Sequence, residues 1–243
     1  MGAEGKPKQA PIFLKVFIMA EVKRVGIYID GNNLFYGALK HDERRKYRWL
    51  NPELLVRDVC DSYFKNNLVK IQFIKFYTAR VSNRSGNLDA PRNQQVYFNA
   101  LRTIKNLEII LGNFQLHEKS LPIYPFEYRK NGKPKFQTVL NTEEKGSDVN
   151  LGVHLVYDAC SDKIDAAIVI TNDTDLAEPI RIVATKLGKP IINLCPHKNV
   201  AFSLKKIKNV KHYVIKTTNL AKSQFPDSIE GIIRPYHWSE EQD

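Results

Sequence analysis

The sequence predicts an α/β fold, a mostly parallel sheet with helices on both faces. Three observations predict it. Short apolar runs rich in β-branched residues recur along the chain, and helical spacings separate them. One run, residues 166–170 (AAIVI), is apolar at every position, as suits a strand covered on both sides. Strands joined by helices must cross over the sheet, which makes neighbouring strands parallel.

Residues 25–29 (VGIYI) read as the first strand, ending at Asp30-Gly31, and residues 33–40 as a helix. Pro52 opens a second helix with Leu54, Leu55, Val59 and Tyr63 as its apolar members. Residues 70–81 form a strand, and residues 82–87 carry turn chemistry. In 92–105, Tyr97, Leu101 and Ile104 share a helical face opposite Arg92, Gln95, Asn99 and Arg102. Residues 107–111 (LEIIL) are the next strand. The stretch 112–144 is the least regular, and 112–139 reads as a hairpin insertion turning at Asn131-Gly132.

Ser147 is expected to cap a helix running to Cys160, with Val149, Val153 and Val156 as its apolar stripe. After the strand 166–170, Leu176, Ile180, Val183 and Leu187 mark a helix that Gly188 ends. Residues 190–195 and 212–216 supply two last strands, and the tail reads as irregular. The simplest organisation is one domain over 21–216. Residues 1–20 precede it as a leader or added stretch, with Met19 a natural start, and 217–243 follow as a C-terminal extension.

The chain has 243 residues, 43% of them hydrophobic, enough for a sizeable core. Lys and Arg number 37 against 26 Asp and Glu, and the net charge of +11 favours polyanions, of which nucleic acid is the commonest. Cys60, Cys160 and Cys195 are scattered and odd in number, against a disulfide framework or a zinc site. Reduced thiols fit a cytoplasmic setting. No apolar run is long enough to span a bilayer, so no membrane partner is expected.

Sites in open parallel sheets form beyond the carboxyl ends of the strands. Asp30 directly follows the first strand. Asp173 and Asp175, in ITNDTDL, directly follow the strand 166–170, and Asp148 opens a helix beside a loop. Four carboxylates on one rim would raise one another's pKa, and a divalent cation removes that conflict. The competing reading is local: an Asp after a strand is often only a helix cap or turn residue, most of all Asp175 before Leu176.

Ile29-Asp30-Gly31-Asn32-Asn33 resembles the D-G-x-N signature of NYN domains, which belong to the PIN-like nuclease group. Lys145-Gly146-Ser147-Asp148-Val149 resembles that family's K-G-x-D-V block, and Thr171-Asn172-Asp173-Thr174-Asp175-Leu176 its S-G/N-D-S/T-D block. Each motif alone is weak; the ordered set, spanning most of 24–196, is specific. The resemblance implies a PIN-like three-layer sandwich, an acidic site for Mg²⁺ or Mn²⁺, and hydrolysis of RNA phosphodiesters. By position, Asp30, Asp148, Asp173 and Asp175 match its acidic set, Asn33 the polar partner of the first Asp, and Thr171 the small hydroxyl residue. The insertion 112–139 is longer than a minimal domain needs and leaves substrate choice open.

Three further residues are candidates for substrate contact by position: Lys145 before the helix of Asp148, Arg80 after a strand, and His197 after the fifth strand. A solvated charge, or for His197 a structural role, is the competing reading. The expected partner is RNA, single-stranded or in structured loops, with a homodimer left open. Lys130, Lys133 and Lys135 lie among Tyr124, Phe126, Tyr128 and Phe136, and basic residues among aromatics suit unstacked bases; at least half of these aromatics are expected to pack inward. Lys205, Lys206, Lys208 and Lys211 form a second basic group, or a solvated helix face. The alternatives are a non-catalytic RNA-binding module of the same fold, a DNA or flap-structure nuclease, and a small-molecule phosphohydrolase, which the positive charge disfavours.

Overall fold

The computed structural model describes residues 22–64, 68–81 and 88–239. The expected leader at 1–20 and the turn at 82–87 lie outside the described residues. The centre is a six-stranded sheet of β1 (Lys23–Asp30), β2 (Val69–Thr78), β3 (Leu107–Leu111), β6 (Ala166–Ile170), β7 (Ile191–Cys195) and β8 (Val210–Val214). Every pairing is parallel, in the order β3-β2-β1-β6-β7-β8. The chain works outward from β1 in one direction and from β6 in the other, which leaves a crevice between β1 and β6 at their carboxyl ends.

Alternation along the strands feeds two cores. Val25, Ile27, Ile29, Ile168, Ile170, Ile192 and Leu194 join one, with α2 (Pro52–Tyr63) and α3 (Ala90–Arg102) over them. Tyr28, Ala167, Val169, Ile191 and Cys195 join the other, under α4 (Ser147–Cys160) and α5 (Ala177–Arg181). This is the expected α/β sandwich. On α2 the buried members are Pro52, Leu55, Val56 and Cys60, whereas Leu54 is exposed. Among the described residues, no helix is long and apolar enough to cross a membrane.

Three local expectations are corrected. The cap of α4 is Gly146, not Ser147; its φ of 97° suits a residue without Cβ, and Ser147 is already helical and buried. The inward stripe of α4 is Leu151, Leu155 and Ala159, while Val149 and Val153 face outward. Both stripes have helical spacing, so periodicity alone picks the wrong one. The insertion is a longer ribbon than expected, with β4 (Asn113–Pro122) and β5 (Phe136–Lys145) paired antiparallel from end to end. Its tip turns near Asn131, where the Gly132 amide donates to the Arg129 carbonyl. Tyr124, Phe126, Tyr128 and Phe136 are all exposed there. A two-stranded ribbon has no second layer to receive them.

The tail is more regular than its composition suggests. It holds α7 (Thr217–Lys222) and a short hairpin, β9 (Ser228–Ile229) with β10 (Ile232–Ile233), while α6 (Phe202–Lys205) lies before β8. Phe225 and Trp238 pack at a tilt against the fully buried Trp49, whose indole N–H donates to the Pro226 carbonyl at 2.7 Å. The tail thereby closes one end of the first core.

Candidate metal centre

Asp30 is the last residue of β1 and caps α1 (Gly31–Leu34). One carboxylate oxygen accepts from the Asn33 amide at 2.9 Å, and the other accepts from the Thr171 hydroxyl at 3.0 Å. Gly31 lets the chain turn here. A Cβ on it would lie 2.6 Å from the Phe76 ring and 2.8 Å from the Tyr77 carbonyl. Thr171 directly follows β6, and its hydroxyl also accepts from the Asp173 amide at 3.0 Å. One buried hydroxyl therefore ties the two strand-end acids together across the crevice.

Asp173 in turn accepts from the Asp175 amide at 2.9 Å, so it caps the helical turn Thr174–Leu176. The local reading of these acids is correct as geometry for Asp30 and Asp173, yet it does not exclude the other. Asp148, in the first turn of α4, joins them. Asp30, Asp148 and Asp173 each offer an oxygen within 4.8 Å of the others, and among the described residues no other group of three potential ligands is so arranged. Asp175 is exposed and stands outside the trio.

The electrostatics follow from this packing. Burial pushes the Asp30 carboxyl up to about 7, and the nearby charges of Asp148 and Asp173 push the same way, against its hydrogen bonds from Asn33 and Thr171. Without a cation the fold confines negative charge that a single proton partly relieves. The donors are all carboxylate oxygens, with no thiolate or imidazole among them. That set suits hard ions such as Mg²⁺ or Mn²⁺ rather than Zn²⁺.

The remaining candidates lie in different surroundings. Asn33 accepts from the Asn172 amide at 2.8 Å and so braces the α1 side of the crevice. Lys145 ends β5 and is exposed. Arg80 lies just past β2 and donates to Gln95 on α3 at 2.9 Å. The His197 ring packs over Gly37, where a Cβ would meet it at 2.7 Å. It is absent from the acidic trio.

Asn172 is a residue for which the sequence suggested no role. Its side chain accepts from the Ala201 amide at 2.7 Å and donates to the Asn199 carbonyl at 3.1 Å. It pins the loop after β7 to the end of β6, beside Asp173. An Asn inside an acidic motif carries no mark of this, because both partners are backbone groups some 30 residues away.

An open parallel sheet with three carboxylates at its topological switch defines a nuclease-like α/β domain. The chain belongs to the NYN domain family, whose model matches residues 24–218. It is 28% identical over 243 aligned positions to the 6-hydroxy-3-succinoylpyridine 3-monooxygenase HspA of Pseudomonas putida (strain DSM 28022 / S16), covering 90% of this chain and 76% of that protein. Among solved structures it is similar to a protein of unknown function from Vibrio parahaemolyticus RIMD 2210633, with a TM-score of 0.46 and 15% identity, over 80% of this chain and 94% of that one.

Proposed function

We propose that this protein is a metal-dependent ribonuclease that hydrolyses RNA phosphodiester bonds. The observation that carries the reading is the convergence of Asp30, Asp148 and Asp173 from three distant stretches of chain onto one rim. These three carboxylates would hold Mg²⁺ or Mn²⁺. A divalent cation there supplies Lewis acidity, lowering the pKa of water and stabilising charge on the phosphoryl oxygens. The chain's own residues position the acids. The Thr171 hydroxyl donates to the Asp30 carboxylate and accepts from the backbone amide of Asp173, and the Asp175 amide donates to the Asp173 carboxylate, so both acids are oriented by fixed partners. The α4 amino terminus brings Asp148 in and adds the positive end of a helix dipole beside the phosphate. Asp175 serves from outside the trio, through water or substrate. The net charge of +11 draws a polyanionic substrate towards the rim.

The test is a cleavage assay on single-stranded RNA, duplex RNA and DNA, with Mg²⁺, Mn²⁺ or EDTA. Cutting of RNA that requires a divalent ion is expected. Cutting of DNA alone would make the protein a DNA nuclease. RNA binding without any cutting would make it a binding module.

A second reading is favoured by one observation, the relative named as a monooxygenase of a hydroxylated pyridine, which aligns over 90% of this chain. On that reading the same fold handles a small ring. Oxygen consumption with a hydroxypyridine and an electron donor, absent with RNA, would select it.

A further inference from the structure

Beside the acidic rim lies a cavity of about 510 Å³. Its wall begins at Gly31 and Asn32, the two residues after Asp30, and continues to Thr78 at the end of β2. The Thr78 hydroxyl faces the Asn32 side-chain oxygen at 3.5 Å, so the cavity and the acids share one stretch of backbone. Its volume lies within the range of about 300–1,000 Å³ usual for sites that enclose small organic ligands.

The cavity wall includes six rings, Phe35, Tyr36, Phe76, Tyr97, Phe98 and Trp238, with aliphatic side chains such as Leu34 and Leu39 between them. Phe35 and Tyr36 are partly exposed and meet edge to face, with centroids 5.5 Å apart. Arg48 is clamped there. Its guanidinium donates to the carbonyls of Leu39 at 3.0 Å and Lys40 at 2.7 Å and lies over the Phe35 ring at 5.3 Å. Asn32, Thr78 and Asn93 add polar groups to the wall, while the Gln94 side-chain amide, also on the wall, donates to the Ala79 carbonyl and accepts from the Val81 amide. Aromatic faces, a few amide edges and a fixed cation match a planar heteroaromatic ring whose edge carries donors and acceptors.

We infer that this cavity receives one unstacked nucleobase of the RNA strand, next to the phosphate held at Asp30, Asp148 and Asp173. The inference rests on the ribonuclease reading and deepens it. A strand whose phosphate sits at the rim has its adjoining base within reach of the cavity, because Gly31 and Asn32 of the cavity wall directly follow Asp30 of the rim. Stacking on ring faces discriminates poorly among bases, so the site favours single-stranded RNA over a particular sequence. Duplex RNA, whose bases are paired and stacked, cannot enter without melting.

The binding step is measured apart from the chemistry. The protein's two tryptophans, Trp49 and Trp238, lie 6.3 Å apart between ring centroids, and Trp238 lines the cavity, so intrinsic fluorescence reports on it. Uridine and adenosine are titrated in EDTA, and 2-hydroxypyridine is titrated as the free-ring alternative. A saturable change with the nucleosides is expected. It should weaken about tenfold in Phe35→Ala, which removes a partly exposed wall, and at least as much in Ala90→Leu, which adds carbons to the space. No saturable change, or one that both variants leave intact, overturns the inference. Hydroxypyridine binding tighter than either nucleoside also overturns it, in favour of a free small ring. RNA cutting without nucleoside binding sinks the cavity assignment alone. Nucleoside binding without RNA cutting under any metal sinks the ribonuclease reading and leaves the cavity assignment standing.

Discussion

Asp30, at the end of β1, and Asp158, in the last turn of α4, are both buried, 3% and 1% exposed. Burial has opposite outcomes at the two. Burial alone raises Asp158, but a hydrogen-bonded ion pair with Lys75, a second with Lys163 at 3.2 Å and the Tyr28 hydroxyl at 3.0 Å hold its carboxyl below the ordinary range. Asp30 has two hydrogen bonds and no ammonium contact among those described, and it faces two more acids. One buried acid is completed by the chain itself. The other is completed only by something brought from outside, a proton or a cation. That difference separates a structural charge from an assembled site more surely than burial or motif does.

The contrast predicts which changes touch activity and which touch folding. The largest effect should come from Asp173→Asn. It keeps a side-chain oxygen for the Asp175 amide but removes a charge from the trio, so RNA cutting should fall on the order of a thousandfold, several kcal/mol of transition-state stabilisation. Folding, followed by circular dichroism, should be unchanged. A variant that unfolds, or one that still cuts, contradicts the assignment.

Lys75→Met should act on the other region. It leaves Asp158 with the half-exposed Lys163 and the Tyr28 hydroxyl, and should lower stability by about 3 kcal/mol in urea unfolding. The cutting rate per folded molecule should not move. Loss of rate without loss of stability would mean that the Asp158 cluster belongs to the chemistry.

The third prediction concerns pH. Asp30 titrates near 7 in the metal-free fold, above the ordinary carboxylate value of 3.8. Below about pH 4 the group is protonated both folded and unfolded and costs nothing. As pH rises towards 7 the unfolded chain releases its proton while the fold retains it, so stability falls across that window and stays low above it. In EDTA, Asp30→Asn, which keeps the capping oxygen, should therefore be more stable than the parent at pH 8, by about 1–2 kcal/mol after allowance for relaxation, and equal to it near pH 4. With Mn²⁺ the order should reverse, because only the parent gains from the ion. Denaturant midpoints at the two pH values, with and without metal, check both signs.

The smallest effect is expected at Thr171→Val. The substitution keeps the shape and removes the hydroxyl that links Asp30 to Asp173, so metal affinity should drop about tenfold. Calorimetric titration with Mn²⁺ reads this directly, and an unchanged affinity would show that the two acids hold their places without it.

The strand-end acids were legible because each sits where an apolar run stops, and that boundary survives in one dimension. Residues 166–170 read correctly for the same reason. Asp148 was legible as the opener of a helix beside a loop, and its match to the family motif strengthened its place with the strand-end acids. The outward valines of α4 misled because an exposed stripe and a buried stripe can share one period. The register of β8 slid two residues, from 212–216 to Val210–Val214, in an edge strand whose burial alternates weakly. The cavity beside Asp30 was invisible. Its walls come from residues 31–48, β2, α3 and Trp238, and no local pattern joins segments so distant in the chain.

The β4–β5 ribbon reaches the site through its root. β5 runs by way of Gly146 straight into α4, so Lys145, paired with Asn113, stands three residues ahead of Asp148. Chain gained or lost at residues 123–135 lengthens or trims the ribbon at the end away from its root and leaves the pairing of Lys145 with Asn113 as it is. A slip of one step in the ladder is another matter. It turns every side chain of β5 to the opposite face and rotates the run into α4 with it, taking one corner of the acidic triangle off the rim.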